Sequence, residues 1–141
     1  MITVKKLQSK QEMLLAYPLI RQIYKDMDLN TYSAKVDEMM AMNNYKMVAA
    51  FDGNKMVGAA GYWVLLLLYC GKYIQISNFV VDQDHRNLGV GEKIIDYVEE
   101  IGKDLGCEKF ALDAYTENKK SHSLYFRKGF HIRGFHFMKS L

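Results

Sequence analysis

Apolar and polar positions change period several times along the chain, and each change marks an element. Met1–Leu7 alternates as a first strand, and Ser9-Lys10-Gln11-Glu12 then has the Ser-x-x-Glu form of a capping box that opens a helix. That helix carries Met13, Leu14, Tyr17, Leu19, Ile20 and Ile23, with a kink or break expected at Pro18. A second helical pattern runs from about Ser33 through Val36, Met39 and Met40. Tyr45–Phe51 reads as a strand, Asp52-Gly53-Asn54-Lys55 as a hairpin turn, and Met56–Leu68 as the returning strand. A turn at Cys70-Gly71-Lys72 leads to a strand over Tyr73–Val81.

After a short polar loop, Val90, Ile94, Ile95, Val98, Ile101 and Leu105 recur at helical spacing, and Gly106 is the stop. Lys109–Ala114 returns as a strand, Glu117–Phe126 as a short helix, and Phe130–Met138 as a last strand. The order βααβββαβαβ predicts an α/β fold, one mixed sheet flanked by helices, in a single domain over residues 1–141.

Composition narrows the classes of function. Half of the residues are hydrophobic and only one is proline, so one sizeable core forms and no linker interrupts it. A net charge of +3 with no arginine-rich block argues against nucleic acid as a partner and is compatible with an anionic ligand. Cys70 and Cys107 lack metal-ligand spacing and are too few for a disulfide framework, so no metal site and a reducing cytoplasm are expected. The greasiest run, Trp63–Cys70, is far shorter than the roughly 20 residues of a membrane helix, so no membrane partner is expected. The first residues, with Lys5, Lys6, Lys10 and Glu12, lack the apolar run of a signal peptide.

The chemistry concentrates at Arg86-Asn87-Leu88-Gly89-Val90-Gly91, between a strand and an amphipathic helix. A helix start offers unpaired N–H groups and the positive end of the helix dipole, and glycines let a phosphate approach them, so the loop suits a pyrophosphate. A Rossmann fingerprint fails because Ile94 stands where a third glycine belongs, and a Walker loop fails because Glu92 follows Gly91. A glycine turn without ligand is the plain alternative.

Arg-x-x-Gly-x-Gly at a strand-to-helix junction resembles the signature of the GNAT N-acetyltransferase superfamily. Asn118-x-x-Ser121-x-x-Leu124-Tyr125-x-x-x-Gly129-Phe130 is similar to that superfamily's carboxy-terminal motif. The likeness runs from about Phe51 onward, and the ending from Ser121 to Leu141 looks like small-amine acetyltransferases, aminoalkylphosphonate N-acetyltransferases among them.

The resemblance implies a mostly antiparallel central sheet and transfer of acetyl from acetyl-coenzyme A to a primary amine by direct attack in a ternary complex. It implies that the pyrophosphate sits on Arg86, Asn87, Leu88, Gly89, Val90 and Gly91, and that the pantetheine arm lies along Phe79, Val80 and Val81 with Asn118 on its other side. Tyr125 matches the family's acid, a core tyrosine being the competing reading, and the oxyanion is assigned to the Val80 N–H. Where many relatives carry Glu or Asp as base, this chain has Asn78, which takes no proton at neutral pH.

Asn78 is therefore expected to orient a water or the amine, while Glu117, Asp113 or His122 collects the proton. Imidazole chemistry favours His122. Asp82, Asp84 and His85 read as a solvated loop, and Arg127 and Lys128 as phosphate helpers or a solvated basic face. A small-molecule amine is the expected partner and a homodimer the default assembly. A protein or peptide acetyltransferase and an acyl-CoA-binding module without chemistry stand as alternatives.

Overall fold

A computed structural model describes residues 1–141. Five strands, β1 (Ile2–Leu7), β2 (Tyr45–Asp52), β3 (Lys55–Leu67), β4 (Gly71–Val81) and β5 (Lys109–Leu112), form one sheet in chain order. The first three pairings are antiparallel and only β4–β5 is parallel. The α/β class and the mixed, mostly antiparallel sheet flanked by helices are as expected. No helix is long and apolar enough to cross a membrane.

The amino-terminal helical region is three helices, α1 (Lys10–Leu14), α2 (Tyr17–Ile23) and α3 (Leu29–Ala41). The Ser9 hydroxyl accepts from the Glu12 N–H at 3.1 Å, while the Glu12 carboxylate reaches back to the Gln8 N–H at 2.6 Å. The break comes before Pro18, because proline within the first turn of α2 gives up a hydrogen bond that a helix start lacks anyway. The third helix starts earlier than the periodicity suggests, because Asp28 accepts from the Thr31 N–H at 2.7 Å and caps it.

These helices cover one face of the sheet, with Tyr32, Val36, Tyr45 and Met47 in that core. The other face is covered by α4 (Val90–Asp104), whose Val90, Ile94, Ile95, Val98 and Ile101 are buried in a single stripe. Gly58 on β3 lets α4 in close: a Cβ there would stand 2.9 Å from Ile94 Cδ1 and 3.0 Å from Val90 Cγ1. The last helix, α5 (Lys119–Arg127), is tied to α4 by Glu92, which meets Arg127 at 3.6 Å and Lys128 at 3.7 Å, and by a Lys128–Asp96 contact. Lys128 docks one helix on another, which corrects its reading as a phosphate aid or solvated face, while the Arg127 side chain stays mostly in solvent, as a solvated basic face requires.

Two further readings need correction. The expected last strand over Phe130–Met138 is absent: after Phe130 the chain makes no backbone–backbone hydrogen bond. Asp82 is buried rather than part of a solvated loop. Its carboxylate accepts from the Gln22 amide at 2.9 Å, meets His85 Nδ1 at 2.9 Å and lies 3.5 Å from Lys55 Nζ, while Gln22 Oε1 accepts from the Gln83 N–H. This clasp binds α2 and the β2–β3 hairpin to the end of β4.

The Gln22 amide above all, with His85 and Lys55 assisting, holds the Asp82 carboxyl below the usual carboxylate range. A depressed folded pKa contributes stability that is present above the unfolded value and lost as pH falls through the folded one. Asp82→Ala is therefore expected to lower stability by about 1.5–3 kcal/mol near neutrality. Thermal melts should show this gap shrinking as pH drops below the ordinary aspartate range; a gap that does not vary with pH would count against the clasp.

Candidate active site

Antiparallel β3–β4 pairing slips at one place. Ala59 faces Val80 and Gly61 faces Ser77, so Asn78 and Phe79 together oppose Ala60 in a bulge. Asn78 takes φ +53°, a left-handed conformation that asparagine tolerates better than most residues. The bulge lies where β4 loses its other neighbour, since the β4–β5 ladder ends at Ile76–Leu112. From Ser77 to Val81 that edge of β4 has no strand beside it.

The regular stretch after the bulge fixes which amides face the opening. Asp82 N–H donates to Val57 O, so alternation turns Val80 toward β3 and Val81 toward the open side. The Val81 carbonyl indeed accepts from Arg86 Nε at 3.3 Å. Val80 is thus turned away from the opening, which corrects its assignment as the oxyanion donor; its side chain packs in the core under α2.

The loop beyond β4 is shaped by two left-handed residues, Asn87 at φ +64° and Gly89 at φ +79°. Gly89 stands at the N-cap of α4 and gives the first-turn amides no side-chain partner. A Cβ on Gly89 would meet nothing within 4 Å, so open space lies before this helix start. One on Gly91 would press on Phe79 Cζ at 3.3 Å, so glycine lets α4 sit against the end of β4. Glu92, in the first turn, would repel an anion there, but Arg127 and Lys128 offset its charge. An uncapped 15-residue helix and a free strand edge leading to it fit a ligand with a diphosphate and an amide-bearing arm.

On the amino-terminal side the Asn78 side chain is held at both ends. Its Nδ2 donates to Tyr45 Oη at 2.9 Å, and its Oδ1 accepts from Tyr24 Oη at 3.3 Å. Tyr45 is buried on Trp63, with ring centroids 4.8 Å apart, and burial pushes its phenol well above the usual tyrosine range. Tyr24 is raised by desolvation and by Tyr115. It also lines an open depression of about 470 Å³ with Ile23, Lys25, Asp26, Met27 and Thr31. Sequence reasoning missed both tyrosines, because nothing local links positions 24 and 45 to position 78.

Tyr125, on α5, packs edge-on to Phe130 at 6.1 Å, and burial raises its phenol above the usual range against a smaller opposing effect of the Ser121 hydroxyl. His122 directs Nε2 at the Tyr115 carbonyl, 2.8 Å away. Of the other proton acceptors considered, Asp113 accepts from Gln75 at 3.1 Å and Glu117 contacts Thr116. Asn118 caps α5 with its backbone and leaves its side chain exposed.

A profile of the acetyltransferase (GNAT) family matches residues 16–130, which includes the bulge, the glycine loop and α5. The chain belongs to the acetyltransferase (GNAT) family. It is 24% identical over 99% of both chains to the uncharacterized N-acetyltransferase YhdJ of Bacillus subtilis. It is 36% identical over 74 residues to the thialysine N-epsilon-acetyltransferase of Sus scrofa, a match spanning 52% of this chain and 44% of that one.

Among solved structures, the fold is shared with AAC(6')-Iy bound to a bisubstrate analog, CoA-S-monomethyl-acetylneamine. The TM-score is 0.83 at 18% identity, over 100% of this chain and 99% of that one. Glucosamine-6-phosphate N-acetyltransferase of Arabidopsis thaliana gives 0.77 at 20% identity over 99% and 98%. This GNAT chain is an N-acetyltransferase.

Proposed function

We propose that this enzyme moves an acetyl group from acetyl-CoA to the primary amine of a small soluble molecule, in the cytoplasm, within one domain of residues 1–141, with both partners bound at once. The observation that carries the reading is the free β4 edge from Ser77 to Val81 running into the uncapped start of α4. Amides of Arg86, Asn87, Leu88, Gly89, Val90 and Gly91 would hold the diphosphate, and outward backbone groups of Phe79 and Val81 the arm, with Asn118 opposite. Bound acetyl-CoA supplies a thioester carbonyl open to attack and a thiolate that leaves.

Asn78 Oδ1 has a second lone pair beyond the one Tyr24 uses, and it orients the amine by accepting an N–H. An outward N–H of the bulged strand, that of Phe79 or Val81, steadies the charge on the carbonyl oxygen. Tyr125, kept protonated by burial, gives its proton to the departing sulfur. His122 collects the amine's proton on Nδ1, since Nε2–H serves the Tyr115 carbonyl. Replacing His122 with Gln should lower kcat by about 10–100-fold, and a kcat within three-fold of wild type would remove His122 from the mechanism.

Relatives name thialysine, glucosamine 6-phosphate and aminoglycosides as acceptors, and the ending of the chain adds aminoalkylphosphonates. Coenzyme A release across these, polyamines, amino acids and lysine peptides tests the acceptor class. Calorimetry tests the cofactor site: wild type should bind acetyl-CoA, and Gly89→Val should bind it about 10–100-fold more weakly, because a β-branched residue at φ +79° costs on the order of 1–3 kcal/mol. No heat with folded wild-type protein would end the proposal. One observation favours a second reading: an amide, not a carboxylate, occupies the bulge. Tight cofactor binding without thiol release on any amine would support a binding module instead.

A further inference from the structure

Asp82 divides its two carboxylate oxygens between two directions. Oδ2 meets His85 Nδ1 at 2.9 Å and Lys55 Nζ at 3.5 Å, which fixes it to the turn over Gln83–His85 and to the β2–β3 hairpin. Oδ1 accepts from the Gln22 amide at 2.9 Å, and Gln22 Oε1 accepts from the Gln83 N–H at 3.0 Å. Gln22 lies in the last turn of α2, two residues before Tyr24, whose phenol donates to Asn78 Oδ1 at 3.3 Å. The end of α2 is thus hydrogen-bonded at Asn78 and at Asp82–Gln83, near the two ends of the free β4 edge.

We infer that Gln22 is a positioning residue that carries the effect of acetyl-CoA binding to the acceptor side of the cleft, across the joint between α2 and the turn preceding the glycine loop. The inference rests on the reading that acetyl-CoA lies on the free β4 edge and the Arg86–Gly91 loop. A diphosphate held by that loop restrains the turn immediately before it, where the His85 N–H already donates to Asp82 O at 2.8 Å. Gln22 grips the start of that turn twice with one planar amide, so stilling the turn also stills α2. The restraint then reaches Tyr24 and the open depression it lines. Ordering that the first ligand has imposed need not be repeated for the second, so acetyl-CoA and amine each tighten the other.

The amides of Tyr24 and Met27 report on this joint, because they are bonded at 2.9 and 3.1 Å to Ile20 O and Tyr24 O and lie outside the proposed cofactor site. Hydrogen exchange of the full chain, read residue by residue with and without saturating acetyl-CoA, should show both slowed about five-fold or more on binding. In Gln22→Leu the slowing should vanish at these amides and remain at Leu88–Gly91, with calorimetry still detecting acetyl-CoA. A loss of stability alone would quicken exchange equally in both conditions and leave the ratio unchanged. Gln22→Glu sets a second carboxylate against Asp82 and should behave like the leucine variant, which it replaces if that one does not fold. Adding Asp82→Asn reverses the bond, the new amide donating to the new carboxylate while the Gln83 N–H keeps its acceptor, and should restore the slowing. A wild type that binds acetyl-CoA without slowing at Tyr24 and Met27, slowing that persists in either single variant, or none regained by the double variant would each overturn this inference and leave the proposed reaction standing. A folded wild type that shows no binding overturns both.

Discussion

Tyr125→Phe is expected to lower kcat about 100-fold while leaving affinity for acetyl-CoA within a few-fold of wild type. General acid catalysis contributes roughly 10²–10⁴-fold, and a 100-fold loss corresponds to about 2.7 kcal/mol of barrier. The ring that packs on Phe130 remains in the variant, so the melting temperature should scarcely move. Only the proton donor is gone. In wild type the phenol stays protonated past the ordinary tyrosine range, because desolvation disfavours phenolate. The rate should therefore hold at high pH until that raised value is reached, then fall, and the variant should lack this fall. Calorimetry and steady-state kinetics check the two halves. A variant within three-fold of wild-type kcat would make Tyr125 a packing residue and move the acid elsewhere.

The parts of this fold that were legible in the sequence are those whose signal is local. The stripe Val90, Ile94, Ile95, Val98, Ile101 gives α4 its place, and Gly53 and Gly106 mark turns by their need for positive φ. The Arg86–Gly91 loop is readable because strand, glycines and helix follow one another directly. Asn78 is legible for what it lacks, a carboxylate, but not for the bulge it occupies. A bulge is a mismatch between two strands, and neither strand alone records it.

Tyr24, Tyr45 and the main clasp on Asp82 are illegible for the same reason, since Tyr24 and Tyr45 bond Asn78 across 54 and 33 residues and Asp82 bonds Gln22 across 60. Periodicity proposed a strand over Phe130–Met138, whereas the ladder that would complete it depends on a neighbour outside that segment. The open depression beside Tyr24 is the least legible region, because its walls come from the α2–α3 turn, whose residues carry no pattern.

Gly61→Ala should join the two links, packing and chemistry, that converge on Asn78. A Cβ at Gly61 would stand 2.3 Å from Tyr45 Oη and 2.7–2.8 Å from two ring carbons, far inside van der Waals contact. Tyr45 cannot yield freely, since it is buried and its ring lies against Trp63. The expected loss is about 1–3 kcal/mol of stability, as overpacking of a filled core costs. Displacing Oη also breaks its 2.9 Å bond from Asn78 Nδ2, so the amide loses one of its two anchors.

Amine KM should rise and kcat fall in the folded fraction, with acetyl-CoA affinity unchanged. Tyr45→Phe in the same chain removes the nearest clashing atom and should restore part of the stability, a coupling that the double-mutant cycle measures. It cannot restore the bond to Asn78, so activity should stay low. If activity returned together with stability, Tyr45 would matter only for packing, and the clamp on Asn78 would have no part in turnover.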